Sequence, residues 1–370
     1  MKVLLTGGGT GGHLFPAIAI AEEILRQKPD AKIAFAGTER GIEASEVPKR
    51  NFTLHLIPAV ALRRGISIQS LFENLKFPFR LMQSINEANA LLDQEEPDLV
   101  IGTGGFVSFP VVWAAQDFGI PTLIQEQNSK PGWATRILAG RADKICLSFE
   151  ASRRYFSKRA PCVITGNPTR RFELTTPEEA RRFFKVDPAR KTLLVFGGSL
   201  GARSLNTAIE QRLHDLLGRV NLIWQIGKTD FDALASRIQP RENLWFSDFI
   251  DRMDLAYSAA DLVLCRAGAS TIAELLNIGM AAILVPYPFA ADNHQYFNAK
   301  ALSDKGVAVL IPNDEIGSEV AYKQILSLIE DDAKRNTMKE MARKLGKPNA
   351  TKEIAEIAIR LASQKKEAHA

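Results

Sequence analysis

Three clusters of small residues carry the chemistry this sequence can offer. The first, Gly8-Gly9-Thr10-Gly11-Gly12-His13, follows a short apolar run and precedes a stretch of helical period. Gly7-x-Gly9-x-x-Gly12 has the G-x-G-x-x-G spacing in the strand-to-helix setting that dinucleotide binding requires. Glycines there let backbone N–H groups approach a phosphate at a helix N-terminus. The next strand ends without an acid, however, and Glu39 comes only after Gly37 and Thr38, poorly placed to hold a ribose. His13 stands where the helix begins. A helix N-terminus disfavours imidazolium, so a neutral ring able to accept a proton fits there, and His13 is the base candidate. The plainer alternative is a histidine satisfied by backbone.

The second cluster, Gly197-Gly198-Ser199-Leu200-Gly201, again follows a strand. Ser199 could contact a phosphate or cap the helix after it. The third, Arg266-Ala267-Gly268-Ala269-Ser270-Thr271-Ile272-Ala273-Glu274, opens a helix with several unpaired N–H groups, which suits a diphosphate. Thr271-x-x-Glu274 also reads as a capping box, which accounts for Glu274 without any ligand.

These clusters need strands behind them and helices ahead. Short β-branched and apolar runs alternate with helical stretches along the whole chain. Strands are expected at 2–6, 32–36, 54–58, 98–102, 121–125, 143–147 and 162–165, then at 192–197, 221–226, 243–247, 261–265, 281–285 and 307–311. Continuous runs such as LLVF and DLVI suit strands buried on both faces of a parallel sheet. The halves echo each other: glycine loops follow the first strand of each, and Asp98-Leu99-Val100-Ile101 is matched by Asp261-Leu262-Val263-Leu264. The fold expected is α/β, two Rossmann-like domains meeting near Ala160–Pro168. After Pro348, Ile354, Ile357, Ala358 and Leu361 have the spacing of an amphipathic helix.

Composition narrows the function classes. In 370 residues, 46% are apolar and 24% charged, as in an ordinary globular protein. The net charge of +5 permits an anionic partner without demanding one. Cys146, Cys162 and Cys265 lie far apart, which predicts neither a disulfide framework nor a zinc site and fits a reducing cytoplasm. Glycines arrive too early for a signal-peptide core, and no apolar run of about 18 residues predicts a membrane span.

Taken together, GGGTGGH, GTGGFVS (102–108), QEQN (125–128), GNPTR (166–170), GGSLGAR (197–203), DFIDRM (248–253), RAGASTIAE (266–274) and HQYFNA (294–299) resemble the MurG family of N-acetylglucosamine transferases, in order and spacing over the whole chain. The resemblance implies a glycosyltransferase-B fold, two Rossmann-like domains facing across a cleft. Residues 1–164 would bind the acceptor and face the membrane, joined by a C-terminal helix at 349–363; residues 165–344 would bind the UDP-sugar. It implies an inverting transfer from UDP-N-acetylglucosamine to undecaprenyl-diphospho-muramoyl-pentapeptide, without metal or cofactor and without nucleic acid, at the cytoplasmic face of the bacterial plasma membrane.

Position by position, the resemblance implies that Thr10, Gly11 and Gly12 approach the reacting sugar, with Asn128 and Gln295. Arg170, Ser199 and Ala269, Ser270, Thr271, Ile272, Ala273 and Glu274 would hold the diphosphate and ribose. Ile250 would meet the uracil with its apolar side chain and free backbone groups. Gly104 and Gly105 would hold the acceptor's diphosphate. His13 would be the catalytic base, with Glu126 next in line. Gln125 replaces the family's usual histidine in His-Glu-Gln-Asn, and Phe109 a usual small residue.

One further stretch has physical content of its own. Ile68, Leu71, Phe72, Leu75, Phe79 and Met82 lie at helical spacing, flanked by Lys76 and Arg80 and preceded by Arg63 and Arg64. An apolar stripe edged with cations lies well on an anionic membrane; a core-facing helix, kinked by Pro78, is the alternative. Two other functions compete with the transferase. A dinucleotide-dependent oxidoreductase rests on the first glycine motif alone. A UDP-sugar epimerase or hydrolase would share the donor pocket but needs carboxylates over the sugar.

Overall fold

The computed structural model of the chain describes residues 1–59, 75–169, 172–198 and 200–368. It divides into two compact units, Met1–Thr169 with Lys347–Ala370, and Arg170–Gly346. In the first unit β1 (Lys2–Gly7), β2 (Lys32–Gly37), β3 (Thr53–Leu56), β4 (Leu99–Gly104), β5 (Thr122–Glu126), β6 (Lys144–Leu147) and β7 (Cys162–Ile164) form one sheet. Its order is β3-β2-β1-β4-β5-β6-β7. In the second unit β8 (Thr192–Phe196), β9 (Asn221–Gln225), β10 (Leu244–Ser247), β11 (Leu262–Cys265), β12 (Ala282–Leu284) and β13 (Ala308–Leu310) order as β10-β9-β8-β11-β12-β13. Every pairing is parallel. Both are Rossmann-like sheets, and each strand lies within two residues of where the apolar runs put it.

The strands are buried on both faces because consecutive side chains leave a strand on opposite sides. In the first sheet Val3, Leu5, Leu99, Ile101 and Leu123 pack on the helix Gly11–Gln27 and on Ile354, Ala355 and Ala358 of the helix Ala350–Ala368. Leu4, Val100, Ile124 and Ile145 face the other way, against Leu91, Leu92, Val111 and Val112. The second sheet is built alike around Leu193, Val195, Trp224 and Leu264. There the one polar atom of Trp224 is satisfied, donating from Nε1 to Asn206 Oδ1 at 3.1 Å.

The echo between the halves has a structural purpose. Asp98 Oδ2 accepts the Lys2 amide, the first of β1, at 2.8 Å, and Asp261 Oδ2 accepts that of Thr192, the first of β8, at 2.7 Å. In both units the aspartate that ends the connection into the neighbouring strand pairs a donor the ladder would leave open. Each also sets the register across the point where strand order reverses, Val3 beside Leu99 and Leu193 beside Leu262.

The helix Phe77–Glu95 corrects one expectation. Pro78 lies in its first turn, where the missing N–H costs nothing, so it opens the helix and does not kink it. The core face of this helix is Ser84, Ala88, Leu91 and Leu92, one to three turns further along than the stripe. Leu75, Phe79 and Met82 stand 64%, 76% and 59% exposed; packing in the core is therefore excluded for these three.

The C-terminal helix closes one face of the first sheet, and Ile354 is fully buried there. Ile354→Ala should cost about 2–5 kcal/mol, the range for a wholly buried large-to-small change. Urea unfolding should show it as a lower midpoint at unchanged slope; an unchanged midpoint would mean the helix contributes no packing to this core.

Candidate functional site

In an open parallel sheet, ligands bind beyond the carboxyl ends of the strands where the strand order reverses. That point lies between β1 and β4 in the first unit and between β8 and β11 in the second. The three glycine-bearing clusters, together with the loop after β4, leave from those four strands.

In the first unit the chain passes from β1 into the helix Gly11–Gln27 through Gly8, Gly9 and Thr10, with Gly9, Thr10 and Gly12 exposed. Thr10 is the N-cap residue, but its side chain makes no capping bond. The first-turn amides of Gly11 and Gly12 therefore lack an intrahelical acceptor. The loop after β4 crosses close by. Gly105 has φ +82°, and a Cβ there would stand 2.4 Å from the Gly8 carbonyl oxygen; at Gly104, with φ +98°, it would stand 2.7 Å from His13 Nδ1. Both positions require glycine for conformation and for space. The structure thus brings Thr10, Gly11, Gly12, His13, Gly104 and Gly105 into one cluster.

His13 Nδ1 lies 3.1 Å from the Thr103 carbonyl oxygen and 3.1 Å from Gln127 Oε1. Glu126, at the end of β5, is only 3% exposed. Its Oε1 accepts from the Asn128 backbone amide at 2.9 Å and from Asn128 Nδ2 at 3.2 Å. Burial raises its pKa above the ordinary carboxylate value, partly opposed by donors from Asn128, Thr135 and Gly132. A carboxylate so enclosed holds the Asn128 loop and is badly placed to take a substrate's proton.

The acid beside the first loop is one that sequence reasoning missed. Glu39 is exposed, whereas Glu43 is 1% exposed beneath the loop. Its carboxylate accepts from the Gly9 amide at 3.0 Å, the Thr38 amide at 3.0 Å and the Thr38 hydroxyl at 2.8 Å. Glycines make room for it: a Cβ at Gly8, Gly37 or Gly41 would run into its side chain. The Gly9 amide that a dinucleotide would need is thus held by a carboxylate, which repels phosphate. That argues against the oxidoreductase reading. The only sequence signal was an acid close after a strand that ends in glycine.

In the second unit the helix Ala269–Ile278 follows β11, with Gly268 as N-cap and no side-chain cap. Thr271 lies inside the first turn, so the expected capping box does not form. Glu274 Oε2 instead accepts from the hydroxyl of buried Tyr257 at 2.9 Å. Ser270 Oγ is buried without a hydrogen-bond partner among the described residues, a slot for a ligand atom at a helix N-terminus. Arg266, just before this helix, donates to Asn313 Oδ1, Ser204 Oγ and the Val285 and Pro286 carbonyls, and lies over the Tyr287 ring. Burial lowers its pKa from the usual arginine value, but the guanidinium stays charged. It adds positive charge beside the helix-opening turn, a contribution that sequence reasoning did not single out.

Ile250 differs from expectation. Its side chain is 3% exposed and its amide is not free, because it donates to Gln225 Oε1 at 3.0 Å. Gln225 also donates from Nε2 to the Gly198 carbonyl at 2.8 Å, tying two loops of this site together. Gln295 Oε1 accepts the Tyr287 amide at 2.9 Å. The helix after the second glycine cluster starts at Arg203 with Ala202 as its N-cap. Arg170, Ser199, Leu71 and Phe72 lie outside the described residues. Among the described residues no group of three or more His, Cys, Asp or Glu side chains could hold a metal ion, and no helix is long and apolar enough to cross a membrane.

Comparison with known proteins places both units in one family. Residues 3–147 match the glycosyltransferase family 28 N-terminal domain, and residues 192–356 match the glycosyltransferase family 28 C-terminal domain. A protein from Chlorobaculum tepidum is 48% identical over 98% of this chain and 99% of its own length. One from Prosthecochloris aestuarii is 46% identical over 96% and 97%. Both are named UDP-N-acetylglucosamine–N-acetylmuramyl-(pentapeptide) pyrophosphoryl-undecaprenol N-acetylglucosamine transferase. The crystal structure of Acinetobacter baumannii MurG superposes with a TM-score of 0.76 at 30% identity, covering 97% of this chain and 99% of that one.

Glu43 yields a direct test of how the first loop is held. In Glu43→Gln either the Gly9 or the Thr38 amide must face an amide nitrogen, leaving that donor unpaired beside a buried side chain. Chemical denaturation should show a loss of about 1–3 kcal/mol; wild-type stability would mean the carboxylate is not what supports the loop.

Proposed function

The chain belongs to glycosyltransferase family 28, and on that premise we propose that it moves N-acetylglucosamine from UDP-N-acetylglucosamine to the 4-hydroxyl of undecaprenyl-diphospho-N-acetylmuramoyl-pentapeptide. This is the step from lipid I to lipid II in peptidoglycan synthesis. The observation that carries the reading is 46–48% identity, over nearly full length, to relatives named for that transfer. The two turns at the strand-order reversals support it physically. The fold is that of glycosyltransferase-B enzymes, two Rossmann-like units of the kind found in the Acinetobacter protein.

In this reading the second unit binds the nucleotide-sugar. The first-turn amides at Ala269–Thr271, the Ser270 hydroxyl, Ile272 and Ala273, the nearby Arg266 charge and the residues Arg170 and Ser199 hold the diphosphate, while Glu274 takes the ribose hydroxyls. Charge accumulating on departing UDP meets donors already in place, so no metal or cofactor is invoked. Uracil rests at Ile250 and contacts its carbonyl, since its amide is engaged. Gln295 of this unit is assigned to the sugar, and Asn128, Thr10, Gly11 and Gly12 of the first unit are assigned to it by the family resemblance.

The first unit binds the acceptor, with Gly104 and Gly105 at its diphosphate. The acceptor's 4-hydroxyl oxygen attacks the anomeric carbon and gives its proton to His13. The bond from that carbon to the β-phosphate oxygen breaks, UDP leaves with the electron pair, and the α-linkage becomes β. Glu126 serves by fixing Asn128.

The acceptor carries a polyprenyl tail, so the enzyme must work at a membrane surface. Exposed Leu75, Phe79 and Met82 with Lys76 and Arg80 support peripheral binding to an anionic bilayer at the cytoplasmic face of the plasma membrane, and Leu71 and Phe72 precede them in the sequence at helical spacing. Each basic residue near such a surface contributes about 1 kcal/mol.

Two experiments test the reading. His13→Ala should lower turnover by about 10²–10⁴ and leave UDP affinity nearly intact. Glu274→Ala should weaken UDP binding by about one to two decades, since a charge-assisted hydrogen bond is worth about 1.5–3 kcal/mol. Calorimetry with UDP and turnover on a water-soluble acceptor separate the two effects. Near-normal turnover in the first variant removes His13 as base, and unchanged UDP affinity in the second removes Glu274 from the nucleotide contacts.

For the membrane, Leu75→Ser with Phe79→Ser should reduce flotation with anionic vesicles and activity on vesicle-embedded acceptor. Activity on the soluble acceptor and the melting curve should hold, because both side chains are already exposed. Equal loss on both acceptors would overturn membrane contact.

A further inference from the structure

Behind His13 lies a row of buried side-chain amides. Gln127, Gln125 and Asn167 are 2%, 0% and 3% exposed. Gln125 Nε2 donates to Asn167 Oδ1 at 3.1 Å and to Ser148 Oγ at 3.1 Å. Gln127 Nε2 donates to Gln125 Oε1 and to the Thr103 carbonyl oxygen. Gln127 Oε1 then faces His13 Nδ1 at 3.1 Å, and the Thr103 carbonyl oxygen lies 3.1 Å from the same ring nitrogen.

The Thr103 carbonyl settles the direction of the row. A side-chain amide can be turned end for end, and its two ends are assigned from the bonds they make. A backbone carbonyl only accepts. The end of Gln127 that meets Thr103 must therefore be the NH2, and the end that meets His13 must be the oxygen. Two acceptors then converge on one ring nitrogen, and that nitrogen must carry a proton. In the neutral ring the lone pair falls to Nε2.

We propose that Gln127, braced by Gln125 and Asn167, is a positioning residue that selects the Nδ1–H tautomer of His13 and so makes Nε2 the proton acceptor. Gln127 does not touch substrate; it acts through the imidazole. The value of this part of the inference to catalysis rests on His13 being the base, but the tautomer itself does not. The row is uncharged throughout, so it orients the ring without an ion pair. It also gives Gln125, found where the family usually has histidine, a definite role, because its carbonyl oxygen accepts from Gln127 while its NH2 is held at the far side.

Histidine-selective 15N labelling of the full-length protein, read by two-bond proton–nitrogen correlations, reports the tautomer of each of its five imidazoles. His13→Gln identifies the His13 signals. Neutral His13 in the unsubstituted protein should have its proton on Nδ1, the reverse of the form favoured by free histidine. In Gln127→Met, of similar volume, the pattern should shift toward a mixture of tautomers. The kcat should fall about two- to tenfold, the worth of one hydrogen bond, while KM for UDP-N-acetylglucosamine holds.

An Nε2–H tautomer in the unsubstituted protein overturns the proposal, and that measurement needs no variant to fold. It is equally overturned by Gln127→Met that keeps a pure Nδ1–H ring and full kcat. If His13→Ala keeps near-normal turnover, the base assignment fails and the tautomer result stands by itself, so the two failures are distinguishable.

Discussion

Everything that could act chemically here depends on where strand order reverses in a parallel sheet. Right-handed crossovers from β1 and β4 carry the chain to opposite faces of the first sheet, and those from β8 and β11 do so in the second. The gap left between them opens beyond the carboxyl ends of those central strands. Loops leave from both sides of it, and the helices that follow β1 and β11 begin without a side-chain cap. Asp98 and Asp261 hold the pairs of strands that border the two gaps in register.

Such a gap is useful only if its loops are held from behind. Catalytic geometry is lost through displacements of about 1 Å, and glycine loops have no side chains with which to hold themselves. In the first unit the support is Glu43, a buried carboxylate that takes the Gly9 amide, and the amides that reach His13. In the second, Gln225 joins the Gly198 turn to Ile250, while Arg266 draws together Ser204, Asn313 and the chain after β12. These supports are polar, and each is bonded to several groups, as burial demands. They explain why so many polar groups sit in two otherwise apolar sandwiches.

The units also differ in sign. The first has a carboxylate under its leading glycine loop, and the second has an arginine beside its helix-opening turn. Negative charge beneath the first loop suits hydroxyl and amide recognition around Gly9 better than a phosphate there, whereas positive charge at the second suits a diphosphate. The same strand-turn-helix plan thus carries opposite charge in the two units, set by buried Glu43 in one and half-buried Arg266 in the other.

Sequence alone determined the thirteen described strands, their parallel arrangement, the two-unit plan and the four loops that bear on the site. Those features depend on local pattern: apolar runs of strand length, glycines immediately after them, helical spacing next. It also marked the stripe at 68–82, of which 75–82 is described, because apolar and basic residues at helical spacing are visible without partners. Only tertiary structure decided how individual polar groups are used. Glu43 meets Gly9 across 34 residues and His13 meets Gln127 across 114, separations at which no spacing rule operates. Thr271 and Glu274 have the interval of a capping box, but the helix begins at Ala269, ahead of Thr271, and Tyr257 takes the carboxylate. The amide of Ile250 looked open until Gln225 was placed against it. A backbone pattern repeats and can be read along the chain; a buried hydrogen bond is chosen by whichever donor the fold brings within about 3 Å, and that choice exists only in three dimensions.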